Sequence, residues 1–502
     1  MNGARVIKGL LALCMSIIIV ILYFKGASLQ PWVILPGHHR LSSVVDVSLR
    51  DLSRESYDHS DSLRFSGQAL QPKYHTRNKF TPKMLKEAET QMKARRDQVH
   101  RACLRMGFEN TSSPDSGLKL PRALVSINKE TVYCPVEKTA STFFRRFVYQ
   151  LEHTDPMRSP FEVPVKMIYA CHSLFTQVEE HAQNLQAKKD RQTKQVERMK
   201  KRRKNKNIVF PKPVETIDSF LKRSTNFLFV RDPFSRLFSA YVDKLLAPNP
   251  EFWDTWGLFA LQKHRSDPSE KSQRCGHDVT FAEFLKFVLD LDLSPPTADP
   301  HVRPIFDLCR PCDVDYSVIG FIQTFQRDVV YLSSLLNVTE AQIEFYKMAD
   351  DTKRDALEDS VMGAFTEWSH RLAQCVTKAD IVRRIWRKLQ IRGFISARIN
   401  FAPKMLKDSV EYLDADDFIK VLAKAVDSST DEDELRNQKM AAMMSAYRTV
   451  DLSTLNSIVH LYAADFRAFG FNERPKFIFD RPNGVYALNY SDALDFYNEW
   501  VI

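Results

Sequence analysis

The chain has 502 residues and carries 72 Lys+Arg against 62 Asp+Glu, a formal net charge of +10. Apolar residues are 44% and charged residues 27%, so disorder throughout is excluded and a sizeable globular unit is expected. Glycine is scarce, 14 residues in all, which argues against collagen-like sequence and glycine-rich phosphate loops. The positive balance points to an anionic partner: nucleic acid, acidic lipid or a polyanionic substrate.

Residues Gly9 to Phe24 are 16 uncharged, mostly aliphatic positions, preceded by Arg5 and Lys8 and followed by Lys25. As a helix this run spans ~24 Å, short for a ~30 Å hydrocarbon core, but Lys8 and Lys25 can snorkel to the interfaces. Basic residues on so short a leader favour a cytoplasmic N-terminus. The expectation is a type II membrane protein: residues 1–8 a cytoplasmic tail, 9–25 a transmembrane signal anchor and 26–100 a stem. A single domain over 101–475 and a C-terminal extension over 476–502 follow. The alternative is a cleavable signal peptide with Gly26 and Ser28 at the cut, but Lys25 interrupts that region. In a lumenal setting the sequons at Asn110, Asn337 and Asn489 become candidate glycosylation sites.

Of the eight cysteines, Cys14 lies in the apolar run and seven lie beyond it. An oxidising lumen favours disulfides, and the odd number leaves one cysteine over. Cys309 and Cys312 read Cys-Arg-Pro-Cys. No second pair or His-x-x-x-His completes a zinc set, so they are candidates for structural disulfides.

Residues 82–106 have helical periodicity. A strand, loop and helix are expected over 121–151, with Ser141 and Thr142 as candidate caps. A basic low-complexity stretch over 188–206 reads as a solvated, flexible insertion. Phe227–Val230 is a compact strand, turned by Arg231-Asp232-Pro233 into an amphipathic helix. Tyr316–Phe321 is strand-like and Phe325–Leu336 helix-like. A charged, helical stretch over about 340–445 reads as a second insertion, and 451–471 as a helix ending at Gly470. Strand–turn–helix units predict an α/β fold with a central parallel sheet flanked by helices.

Two segments carry anion chemistry. In Cys134-Pro-Val-Glu-Lys138-Thr139-Ala140-Ser141-Thr142-Phe143 a strand ends, a lysine and hydroxyls occupy the loop, and a helix begins. Backbone N–H groups at a helix start and one lysine suit a phosphate, although an ordinary capped helix would read the same. No G-x-x-x-x-G-K-[ST] pattern is present, which disfavours a P-loop nucleotidase. In Phe227-Leu-Phe-Val-Arg231-Asp232-Pro233-Phe-Ser-Arg236-Leu-Phe-Ser239-Ala-Tyr241-Val-Asp243-Lys244, Arg231 closes a buried strand where α/β sheets bind ligands. Ser239 follows two helical turns on.

Together these segments resemble the two binding motifs for 3′-phosphoadenylyl sulfate in Golgi carbohydrate sulfotransferases. The block His301-Val-Arg303-Pro304…Cys309-Arg-Pro-Cys312…Tyr316-Ser-Val-Ile-Gly320 and the ending Tyr462-Ala-Ala-Asp465-Phe466…Phe469-Gly470-Phe471 are similar to further blocks of that family, in order. The branch they resemble acts on chondroitin, dermatan and terminal N-acetylgalactosamine. Glu137 stands where the family usually has Pro, Ser141 where Cys is common and Phe144 where Trp is common.

The resemblance implies a P-loop-like sulfotransferase fold in the Golgi lumen. It implies transfer of a sulfuryl group from 3′-phosphoadenylyl sulfate to a glycan hydroxyl, with no metal. Lys138, Thr139, Ala140, Ser141, Thr142 and Phe143 would hold the 5′-phosphosulfate, and Arg231, Arg236 and Ser239 the 3′-phosphate. Lys138 would also stabilise developing charge. Candidate general bases are His301, then His172, with Glu137 beside the loop as a third. The competing readings are a noncatalytic type II carbohydrate-binding protein on the same fold, a kinase and a nucleic-acid binder. The kinase lacks a glycine-rich loop and metal-binding carboxylates, and lumenal topology disfavours nucleic acid. Finally, 188–206 hold 11 Lys+Arg against 2 Asp+Glu, nearly the whole charge excess, so the bulk charge says little about the rest of the surface.

Overall fold

The computed structural model describes residues 81–108, 120, 122–152, 159–170, 176–202, 216–294, 298–338, 348–401 and 410–480. The apolar run Gly9–Phe24, the sequons at Asn110 and Asn489, Cys171 and His172 lie outside them. Among the described residues no helix is long and apolar enough to cross a membrane.

Five strands form one sheet: β1 (Leu124–Ser126), β2 (Thr131–Cys134), β3 (Thr176–Gln177), β4 (Thr225–Val230) and β5 (Val318–Phe321), in the order β3-β1-β2-β4-β5. β2, β4 and β5 run parallel, as expected. β1 and β3 add an antiparallel edge that the sequence did not suggest. β4 reads as an unbroken apolar run because both faces are covered. Phe227 and Phe229 enter one cluster with Tyr133, Phe144 and Phe147, while Leu228 and Val230 enter another with Val132 and Cys134.

The principal helices are α1 (Pro82–Arg105), α2 (Ser141–Glu152), α3 (Val178–Arg202), α4 (Pro233–Tyr241), α5 (Phe281–Asp290), α6 (Ile305–Cys309), α7 (Phe325–Leu335), α8 (Met348–Phe365), α9 (Lys378–Ile391), α10 (Ala415–Asp427), α11 (Glu432–Arg448), α12 (Leu452–Leu461) and α13 (Ala463–Phe469). Asp232 caps α4 by accepting from the Ser235 N–H at 2.9 Å, with Pro233 at the first helical position. The expected helix over 451–471 is broken at Tyr462 into α12 and α13, and Gly470 closes the second at φ +70°.

Four expected boundaries move. α1 is packed rather than stem: Ala88 and Met92 are fully buried, and Arg95 donates to Asp328 at 2.7 Å and to the Ile319 carbonyl at 2.8 Å. The region 340–445 is not an appendage. Its amphipathic helices α8, α9, α10 and α11 bury Val361, Val382, Ile385, Leu389, Phe418, Leu422 and Ala446 in the largest core cluster, shared with Phe234 and Tyr241 of α4. The basic stretch 188–206 is helical through Arg202 as the continuation of α3, whose 25 residues contain no Gly or Pro. Past the domain's expected end at 475, Ile478 is also buried.

Cys309 and Cys312 do form structural disulfides, but with distant partners. Cys103 bonds Cys312 and Cys134 bonds Cys309, while Cys275 bonds Cys375. Asn337 is exposed in a left-handed turn after α7, open to modification.

Gly320 in β5 has no room for a side chain, since a Cβ there would lie 2.3 Å from the Phe229 ring. That ring is held by Phe144 at 4.1 Å between centroids. Gly320→Ala is expected to lower stability by about 1–3 kcal/mol through overpacking. Thermal or urea unfolding checks this, and an unchanged midpoint would contradict the packing.

Candidate active site

β2 delivers the chain to a turn at Glu137–Ala140, and α2 begins at Ser141. Lys138 and Ala140 adopt left-handed backbone angles, φ +69° and +62°. L-residues pay about 1–2 kcal/mol each for this conformation. Anion-binding loops adopt it with glycine; here it is built without one. Lys138, Ala140 and Thr142 are half-buried, whereas Glu137, Thr139 and Ser141 turn inward. The Thr139 hydroxyl donates to the Val136 carbonyl at 2.7 Å, and the Phe143 ring belongs to the core. The hydroxyls expected to cap α2 bond elsewhere. Ser141 reaches Glu137, and Thr142 shares a 3.0 Å bond with the Tyr169 hydroxyl.

Arg231, at the end of β4, donates to the Lys138 carbonyl at 3.2 Å, so the two motifs meet directly. Ser239 is half-buried on α4. Arg236 differs from the expectation. Its fully buried guanidinium donates to three carbonyls, Glu137 at 3.0 Å, Arg303 at 2.7 Å and Pro300 at 2.6 Å. It therefore positions the loops and does not offer its charge to a ligand.

Through those bonds Arg236 brings the turn carrying His301 up to the Lys138 loop. The Asp299 carboxylate accepts from the His301 backbone N–H at 2.9 Å and lies 2.8 Å from Nδ1. A proton on Nδ1 leaves Nε2 as the basic nitrogen, and Nε2 has no hydrogen bond among the described residues. Burial lowers the His301 pKa below 6.5; Asp299 opposes this and nearby Lys244 adds to it. Tyr462 donates its hydroxyl to the Val302 carbonyl. Asp465 accepts from the N–H groups of Ile305 and Phe306 at 2.9 and 2.7 Å, fixing the start of α6. The C-terminal Tyr-x-x-Asp motif is thus a bolt for the histidine turn.

Glu137 is engaged elsewhere, accepting from Arg122 at 2.8 Å and Arg145 at 3.3 Å. Burial pushes its pKa up, but Arg145, His301 and Arg122 together with the Ser141 bond overcome this and hold it at about 2. Lys138 is brought down to about 8, by burial first, with Asp243 raising it and Lys244 and Arg392 lowering it.

Sequence reasoning gave no role to the groups around Lys138. The Asp243 carboxylate meets Lys138 Nζ at 2.7 Å, Lys388 Nζ at 3.0 Å and Lys244 Nζ at 3.5 Å. Lys388, Arg392 and Lys439 come from the region read as an insertion. Only Asp299 had a local signal, an acid two residues before a histidine. His172, outside the described residues, cannot be placed beside this cluster.

A family profile described as the sulfotransferase family matches residues 121–389, over half of the chain. Carbohydrate sulfotransferase 11 of Rattus norvegicus is 25% identical over 361 residues, covering 70% of this chain and 86% of the relative. Carbohydrate sulfotransferase 12 of Mus musculus is 29% identical over 248 residues, 45% of this chain and 51% of the relative. Human carbohydrate sulfotransferase 8 is 32% identical over 136 residues, 27% of this chain and 32% of the relative. No solved structure matches. With the Lys138 loop, the Arg231 turn and the histidine turn all inside the matched span, the chain belongs to the sulfotransferase family.

Proposed function

We propose that this sulfotransferase moves a sulfuryl group from 3′-phosphoadenylyl sulfate to a hydroxyl of a glycan. The acceptor class is a glycosaminoglycan such as chondroitin or dermatan, or a chain containing N-acetylgalactosamine. We place the reaction in the Golgi lumen, with residues 9–25 as the membrane anchor and 26 to about 80 as the stem. The relatives' names, carbohydrate sulfotransferases, support the acceptor class. The observation that carries the donor assignment is the 3.2 Å bond from Arg231 to the Lys138 carbonyl. It joins the loop that carries Lys138 to the end of β4 that carries Arg231, for a ligand with two anionic ends.

In the reaction the acceptor oxygen bonds to sulfur, the bond from sulfur to the phosphate oxygen breaks, and the hydroxyl proton leaves. His301 Nε2 takes that proton, while Asp299 holds the imidazole in the required tautomer. Lys138 and the N–H groups at the start of α2 stabilise charge that develops on the departing phosphate. Arg231 and Ser239 hold the 3′-phosphate, and Arg236 keeps Glu137 and the histidine turn in register. Asp243 holds the Lys138 ammonium in place between turnovers.

Lys138→Ala and Arg231→Ala are each expected to lower labelled-sulfate transfer by about 10²-fold or more, the scale for losing one charge-stabilising donor. A panel of chondroitin, dermatan, heparan and N-acetylgalactosamine-terminated acceptors, followed by disaccharide analysis, identifies the sugar and position. Retained transfer in either variant, with wild-type thermal unfolding, would sink the donor assignment.

The pH dependence of kcat/KM follows from the two free-enzyme groups. The histidine base is active when neutral, so activity is lost as pH falls through its pKa, below 6.5. The Lys138 ammonium is needed charged, so activity is lost as pH rises through about 8. A bell between these limits is expected, and His301→Ala should leave low residual activity without the acid limb. An acid limb that persists in the variant would assign the base elsewhere.

A further inference from the structure

The basic run after residue 188 is helical through Arg202, and the sheet register fixes where its helix starts. Leu124 of β1 pairs with Tyr133 of β2 on one side and with Gln177 of β3 on the other. β3 therefore points the same way as β2. Gln177 is level with Tyr133, two strand spacings or about 10 Å across the sheet. α3 begins at the next residue, Val178. It leaves the sheet from the rim that carries the Lys138 loop and Arg231.

The first turns of α3 are anchored. The His181 ring lies 4.5 Å from the Phe220 ring of the short helix Ile217–Arg223, and α3 also packs against β1. Farther along, Lys188, Lys189, Arg191 and Lys194 are all exposed, and among the described residues none of the four is in an ion pair. Asp190, between them, is engaged by the Gln186 amide at 2.9 Å. From Lys188 to Arg202 the helix holds eight Lys and Arg against two acids, Asp190 and Glu197.

The spacing of these cations is helical. Arg191, Lys194, Arg198 and Arg202 follow at i, i+3, i+7 and i+11, one ridge of the helix. The ridge is about 16 Å long, and successive positions are closer than the Debye length of about 8 Å, so the charges act together on an anion. Like charges at these spacings destabilise a helix, and an anionic chain laid along the ridge relieves that repulsion. A convex, exposed ridge suits an extended polyanion rather than one small ion. In the lumen nucleic acid is not the partner, and the anionic leaflet of the membrane faces the cytoplasm. A glycosaminoglycan presents carboxylates and sulfates at regular intervals along an extended chain.

We propose that α3 is a docking ridge for the charged chain of a polymeric glycan acceptor. It grips that chain away from the sugar that reacts and gives the enzyme a preference for long anionic acceptors over short ones. This rests on the glycan-acceptor reading above.

Binding of chondroitin polymer and of a chondroitin tetrasaccharide to the full-length protein, measured without donor, tests this. The variant combining Lys188→Gln, Lys189→Gln, Arg191→Gln and Lys194→Gln keeps good helix formers at all four positions. It should bind the polymer about 10-fold more weakly at low salt, with tetrasaccharide affinity within about 3-fold of wild type, the scale for four exposed charges. Raising the salt should close the gap between wild type and variant. The polymer KM should rise in step, with the donor KM and the thermal unfolding midpoint unchanged. Combining Lys188→Arg, Lys189→Arg and Lys194→Arg should retain wild-type affinity. Unchanged polymer affinity in the glutamine variant, or equal losses for polymer and tetrasaccharide, would overturn the inference and leave the acceptor reading intact. A variant that keeps polymer affinity but loses attraction to micelles containing phosphatidylserine would overturn it in favour of lipid. A wild type that transfers sulfate to no anionic glycan would remove the acceptor reading and the docking ridge with it.

Discussion

One buried guanidinium holds the site together. Arg236 is one turn into α4, yet its hydrogen bonds go to Glu137 in the loop after β2 and to Pro300 and Arg303 on either side of the histidine. Each such bond to a charged donor contributes about 1.5–3 kcal/mol. The relative position of Lys138 and His301 is set by this one side chain. The bolts from Tyr462 and Asp465, and the disulfides through Cys309 and Cys312, secure the same turn from behind.

Around that fixed frame the site is electrostatically uneven. On the Lys138 side, Asp243 gathers three lysines, one carboxylate against three ammonium groups. On the Arg231 side, the neighbouring Asp232 carboxylate favours the charged guanidinium while it caps α4, and Arg392 opposes it. Two of the left-handed non-glycine residues, Lys138 and Ala140, fall within this one loop.

The parts legible in the sequence were those encoded locally. A buried strand, an Asp-Pro turn and an amphipathic helix are contiguous over 227–241, so Arg231 and its cap could be placed from the order of residues. The loop after Cys134 was equally readable. What depends on chain segments far apart was not. Nothing near Arg236 reveals that its partners are carbonyls 64 to 99 residues away. The antiparallel edge strands are two and three residues long, too short for a pattern. The region 340–445 looked separate because charge alternates with its apolar positions; only packing shows that those positions share the core with α4. α3 was misread for a different reason: its basic composition drew attention away from 25 residues of good helix formers without a breaker.

The pairing of the Cys-Arg-Pro-Cys motif sets a problem for the chain during its own synthesis. The two sulfurs sit three residues apart and are each other's easiest partners, since closing so small a loop costs little entropy compared with closing one of 175 or 209 residues. A bond between them would release both β2 and α1 from the histidine turn. From such a bridge the native pairing forms in two steps: the Cys103 thiolate attacks it and bonds Cys312, freeing the Cys309 thiolate, and a separate two-electron oxidation by the lumenal oxidant then joins Cys309 to Cys134. Docking of α1 and β2, the first two segments to bring in a partner sulfur, thus decides whether the histidine turn is anchored or cut loose.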